Sequence, residues 1–228
     1  PAIRLAALSN LPNIFIYSHD SIFLGEDGPT HQSVEHHWGL RIIPNLDYFR
    51  PADSVEVAMT WAYALKSEKT PVAFSLTRQG VPGIEREAGF NPEDVWRGGY
   101  GIRNTADPQV ILVGTGSELH LCTEAAEALS EDGYRVRVVS MPCLEQFTRQ
   151  DAAYREALIP SGHPAVVTVE AGVTAPWQSI TGLQGINIGV DRFGASAPAE
   201  VLADKFGLTT EKVTASIRSY LDGRNIQP

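Results

Sequence analysis

A chain of 228 residues, 43% hydrophobic and 20% charged, has enough apolar material for one large globular domain or two modest ones. Its 27 acidic residues against 18 Lys and Arg give a net charge of −9, which argues against a general nucleic-acid or anionic-membrane surface. A phosphate-bearing ligand must therefore be met by a local basic residue, and no apolar run approaches the ~20 residues that span a bilayer.

The first stretch, PAIRLAALS, carries Ile3, Leu5, Ala6 and Leu8 at helical spacing without a capping residue before them. It reads as the tail of a helix that starts earlier, and hence as part of a longer polypeptide. NIFIYS (13–18) is a short β-rich run, and THQSVEHHWGL (30–40) predicts a helix with Thr30 near its cap. LDYFR (46–50) predicts a strand stopped by Pro51. Asp53 with Glu56 forms a capping-box-like start for SVEVAMTWAYALKS, whose Val55, Met59, Ala62 and Tyr63 or Leu65 lie near one face. PVAFSLTR (71–78) predicts a third strand, and strands alternating with helices indicate βαβ units and a parallel sheet.

From Gln79 to Gly99 the periodicity fails in a stretch rich in Gly, Pro and charge, which reads as a linker. Beyond it, YGIRN, VILVGTG, RVRVVSM, AVVTVE and INIGV read as strands. Helices are expected at 117–131, 151–158, 176–182 and 198–206, and TTEKVTASIRSYL forms a last helix ended by Gly223. The expected architecture is α/β, with a partial parallel-sheet domain at 1–80, a linker at 81–98 and a self-contained α/β domain at 99–228. Cys122 and Cys143 have no CxxC spacing, which fits a reducing compartment, the cytoplasm by default, and gives no zinc framework.

Open parallel sheets bind ligands beyond the carboxyl ends of their strands. His19 and Asp20 follow the first strand, Asp27 and His31 lie in the segment after it, and Arg78 closes the third. Meeting in one cleft, these groups suit a phosphorylated sugar: a carboxylate accepts from hydroxyls, imidazoles serve an oxygen whose charge changes, and a guanidinium grips phosphate. Each also has a plainer reading. His19 would then be a structural hydrogen-bonder, Asp27 a turn residue before Gly28 and Pro29, and Arg78 the partner of a surface acid. His31 and Glu35, four apart, form at most a fragment of a metal site, and His36 and His37 suit a helix surface or domain contact. GTGSE (114–118) lacks a full phosphate-loop pattern, and Ser117 as an N-cap explains most of it. DRFGAS (191–196) reads as a loop at a domain contact.

SHDSIFLGEDGPTHQSVEH, IPNLDYFRPAD, PVAFSLTRQ, ILVGTGSE and GVDRFGAS, in this order, closely resemble the latter half of transketolase over nearly the whole chain. The resemblance implies the end of a thiamine-diphosphate-binding pyrimidine domain followed by the family's smaller C-terminal domain. It implies a two-carbon ketol transfer from a ketose phosphate to an aldose phosphate with thiamine diphosphate and Mg2+ or Ca2+, in a homodimer. Carried over by position, His19 contacts the ketol oxygens, Asp27 recognises the sugar C2 hydroxyl, and Arg78 clamps the substrate phosphate. His31 falls near the cofactor's aminopyrimidine and the reacting oxygen, as a candidate for proton transfer. The family's cofactor-activating Glu and its GDG metal motif have no counterpart here, so the missing N-terminal half is expected in the same polypeptide or as a partner chain. DRFGASAPAEV is shorter after its serine than the family pattern. Two alternatives stand beside this reading: a non-catalytic, sugar-phosphate-binding subunit, and another thiamine-dependent enzyme.

Overall fold

The computed structural model describes residues 1–163 and 165–228. Two sheets organise it. In the first, β1 (Ile14–Ser18), β2 (Asp47–Phe49) and β3 (Val72–Leu76) are parallel in the order β1-β3-β2, with Ser18 level with Leu76. Successive side chains of a strand face opposite sides. Accordingly Phe49, Val72 and Phe74 pack with Ala64 of α3 (Ser54–Lys66). On the other side Tyr48 and Ala73 pack with Ile3 of α1 (Ala2–Leu8) and Leu40 of α2 (His36–Arg41). Among the described residues β1 pairs only with β3, and Ile16 and Tyr17 remain 47% and 38% exposed.

The second sheet has the order β4-β6-β5-β7-β8, built from Tyr100–Arg103, Val110–Gly114, Val136–Ser140, Val166–Val169 and Ile186–Ile188 taken as β4 to β8. All pairs are parallel except β4 with β6. Val110 and Leu112 of β5 face a core with Leu119 and Leu129 of α4 (Leu119–Glu131) and Val213 and Ile217 of α9 (Thr210–Gly223). Ile111 and Val113 face the opposite core, with Phe147 of α5 (Leu144–Arg149), Leu158 of α6 (Ala152–Leu158) and Trp177, which precedes α7 (Gln178–Thr181). The remaining helix, α8 (Ala199–Phe206), packs over the segment after β1. No helix among the described residues is long and apolar enough to cross a membrane. Cys122 and Cys143 are both buried and unpaired.

Three expectations require correction. The helix expected over 30–40 begins only at His36, because Gly28, Pro29 and the turns after them carry the chain through 30–35 as loop. Thr30 consequently caps nothing; its hydroxyl pairs with His31 Nδ1 at 2.9 Å. In α3 the Asp53 cap holds, accepting from Glu56 N–H at 3.0 Å, but the buried face is Glu56, Thr60 and Ala64, whereas Val55 and Leu65 are exposed. Polar partners cause this inversion: Glu56 accepts from Tyr100 and Ser140 hydroxyls at 2.7 and 2.6 Å and from Ala52 N–H at 2.7 Å. The glycine-rich segment after β3 is also a strap rather than a free tether, with Val95 fully buried and Arg86 paired to Asp53 at 2.8 Å.

Candidate active site

A cavity of about 660 Å³ opens at the carboxyl end of the first sheet. His19, one residue past β1, adopts a φ of 63°, a left-handed conformation that is uncommon for a side chain larger than glycine. It turns the chain so that His19 lines the cavity, while Asp20, at its inner wall, is buried at 3% exposure. Asp27 and His31 line the same cavity from the following loop, where Gly28 has a φ of 78°. Three of the four residues chosen from the sequence thus share one wall. Arg78 does not line it; this exposed side chain lies two positions past β3, on the same carboxyl edge as His19 by strand register. His19 and His31 each engage Nδ1 with the preceding hydroxyl, Ser18 and Thr30, at 2.8 and 2.9 Å. Their remaining ring nitrogens carry no protein partner among the described residues.

The structure adds wall residues that spacing did not single out. His37 is 1% exposed, its Nδ1 2.8 Å from the Tyr48 hydroxyl, which in turn donates to Ser75 at 2.8 Å. Since Tyr48 uses its proton on Ser75, His37 donates through Nδ1, and burial beside Arg50 pulls its pKa down to about 3, keeping the ring neutral. His36, by contrast, is exposed on the rim. His31 and Glu35 lie outside any helix, so their spacing of four does not bring them onto one face.

Behind the cavity, the carboxyl ends of the two sheets meet around one guanidinium. Arg50, directly after β2, is fully buried and donates to Asp20 at 2.6 Å, Glu118 at 2.8 Å and Glu170 at 2.9 Å. Arg41 grips Glu170 in bidentate fashion at 2.8 and 2.9 Å, and Trp177 Nε1 donates to the same carboxylate at 2.8 Å. Burial alone would push Glu170 up, but Arg41 and Arg50 hold it well below the usual carboxylate range. Burial raises Glu118, with Arg50 opposing.

This arrangement also explains GTGSE. Ser117 is not an N-cap: its hydroxyl donates to Glu118 at 2.7 Å, and Gly116, with φ 58°, lets the backbone pass against Arg50, where a Cβ would stand 2.9 Å from the guanidinium carbon. The loop closes on a cation rather than on a phosphate. DRFGAS is a domain contact, as its loop character suggested, and it lies against the 25–32 loop.

Glu145, at the start of α5, gives a pH test of this junction. Burial raises its carboxyl from 4.5 to about 7, opposed chiefly by Arg41, while Cys143 donates to it at 3.3 Å and Asp47 adds repulsion. An acid whose folded pKa is raised contributes stability fully below its unfolded value and loses it as pH rises through the folded value. We expect Glu145→Gln to remove a loss of about 3 kcal/mol between pH 4.5 and 7. Denaturation midpoints at pH 5 and pH 8 check this; parallel profiles for the two proteins would contradict it.

Comparison with known proteins agrees with the fold. A family model described as transketolase, pyrimidine binding domain, matches residues 1–83, and one described as transketolase-like C-terminal domain matches residues 98–209. The plasmid-encoded transketolase of Cupriavidus necator is 48% identical over 97% of this chain and 33% of its own length. Among solved structures, transketolase from Leishmania mexicana superposes with a TM-score of 0.90 at 45% identity, covering 97% of this chain and 32% of that one. A Pichia stipitis transketolase, solved in complex with sedoheptulose-7-phosphate, gives 0.90 at 35% identity over 99% of this chain and 32% of its own. A split-gene transketolase, described as an inactive beta4 tetramer, gives 0.70 at 26% identity over 92% of this chain and 66% of its own. The chain spans about a third of the length of its curated transketolase relatives. The two family models and these relatives together show that the chain belongs to the transketolase family.

Proposed function

We propose that these residues form the end of a pyrimidine-binding domain (1–80), a connecting strap (81–98) and the C-terminal domain (99–228) of a dimeric, cytoplasmic ketol transferase. It moves a two-carbon unit from a ketose phosphate to an aldose phosphate. The observation that carries this reading is the convergence of His19, Asp27 and His31 on one cavity. Thiamine diphosphate supplies the nucleophilic carbon for this chemistry. The residues present fit its pyrimidine end: His31 offers a ring edge without a protein partner, and Tyr17, Leu24 and Leu40 give the cavity apolar wall. They do not fit a metal, since among the described residues no three His, Cys, Asp or Glu side chains are grouped to hold one. In this reading the diphosphate and its Mg2+ or Ca2+ are held mainly by the missing N-terminal half.

In this reading His19 and Asp27 bind the hydroxyl-bearing end of the sugar. His31 holds or passes a proton through the nitrogen that Thr30 leaves unused. Arg78 meets the phosphate at the rim, as a planar fork suited to it. The missing half comes from the same polypeptide or from a partner chain, a reading supported by the description of the split-gene relative as inactive.

The complete assembly should convert xylulose and ribose phosphates, whereas the 228-residue chain alone should not. Absence of transfer by the complete assembly, with sugar-phosphate binding retained, would replace this reading with that of a non-catalytic subunit. Arg78→Ala should lower kcat/KM about 10- to 100-fold for phosphorylated substrates, the equivalent of one charge-assisted hydrogen bond, and spare free sugars. Equal losses on both substrate classes would remove Arg78 from the phosphate site.

A further inference from the structure

Every described residue that lines the cavity lies between Ile3 and Ser75, so the second domain contributes nothing to its wall. It nevertheless packs against the loop that carries Asp27 and His31, and it is hydrogen-bonded to that loop through one side chain. Gln32, 3% exposed, donates through Nε2 to the carbonyls of Gly25 at 2.7 Å and Ala195 at 3.0 Å. Its Oε1 accepts from Ala195 N–H, also at 3.0 Å. A primary amide is the group that satisfies both partners of one backbone residue at once, and here it also closes the loop on itself.

The fit is steric as well. A Cβ on Gly194 would overlap Gln32 Oε1, and one on Gly28 would overlap Ser196 Oγ. Among the described residues, Gln32 is the only side chain of the 25–32 loop that hydrogen-bonds to the second domain. Asp27 and His31 are themselves exposed, and the backbone of this loop sets where they stand. That backbone folds through Gly28 N–H to Gly25 at 3.1 Å and His31 N–H to Gly28 at 3.0 Å.

We propose that Gln32 and the 191–197 segment form a positioning clamp, by which the second domain sets Asp27 and His31 against the substrate without touching it. This rests on the ketol-transferase reading. The clamp has a specific signature, because the same contact can be broken from either domain.

The test uses the complete enzyme carrying Gln32→Ala, Gly194→Ala, or both. A displacement of about 1 Å in a reacting group costs up to about 100-fold. Each single variant should lower kcat/KM by about 10- to 100-fold, raise KM for the sugar phosphate, and speed amide exchange at 25–32 while the β5–β7 core stays protected. The double variant should lose little beyond Gln32→Ala alone, because truncating Gln32 removes the amide that a Gly194 Cβ would overlap and leaves only the Gln32 Cβ, at 3.2 Å, for the neighbours to accommodate. If Gln32→Ala does not fold, Gly194→Ala displaces the same amide from the other side.

Multiplying losses in the double variant would overturn the clamp, as would a lowered Tm with unchanged kcat/KM in the folded enzyme. Failure of the unmutated assembly to transfer ketol units would instead sink the reaction assignment, and the exchange measurement would still decide the clamp.

Discussion

Arg50→Met should destabilise the protein by about 3–5 kcal/mol, the cost of removing one partner from a buried ion pair. Methionine matches the stem of the side chain as far as Nε, so the loss combines the missing charge with the void left by the guanidinium carbon and its two terminal nitrogens. Asp20, Glu118 and Glu170 would be left facing one another at 3%, 0% and 1% exposure. Arg41 would still hold Glu170, but among the described residues Asp20 and Glu118 would have no remaining cation partner. Lysine should rescue little, since one ammonium cannot reproduce a planar fork that reaches three carboxylates. Urea denaturation of the two variants decides the matter: a change below about 1 kcal/mol for Arg50→Met would mean that the carboxylates protonate or rearrange at small cost.

The second large effect falls on catalysis and spares stability. His31→Ala in the complete enzyme should lower kcat by about 10²–10⁴-fold, the range for loss of a positioned acid or base. Its Tm should hardly move, because His31 is exposed and its one side-chain bond is to its neighbour Thr30. Asn at this position should restore little, since it keeps a hydrogen bond but cannot take up a proton near neutral pH. A kcat within a few-fold of the parent would assign proton transfer elsewhere.

Much of this fold was legible because strands and helices announce themselves locally. NIFIYS, PVAFSLTR and VILVGTG are bounded apolar runs, and each became a strand within a residue or two of its expected limits. The order of residues at the strand ends likewise placed His19, Asp27 and His31 near one another. What sequence spacing missed depends on partners distant in the chain. Arg50 meets Glu118 and Glu170, which lie 68 and 120 positions away, and no periodicity marks a charge destined for full burial. Glu56 broke the expected apolar face of α3 for the same reason, since Ser140 is 84 positions off. Gln32 looked unremarkable beside His31, because its partner lies 163 residues downstream. Some local signals were overlooked as well: LEQFTR of α5 is short and Cys143 before it offers no side-chain cap, while Asn91 and Pro92 open a 3-10 helix over Pro92–Arg97 inside the stretch read as a linker.

The meeting of both sheets at Arg50 has a consequence for biosynthesis. A ribosome elongating at ~5–20 residues per second completes β3 several seconds before Glu170 emerges. Until Glu118 emerges, Asp20 is the only one of Arg50's three carboxylate partners that has been made. The pocket is therefore finished only when the later sheet arrives, so nascent chains arrested before Glu118 should present a solvated guanidinium and an unformed ligand edge.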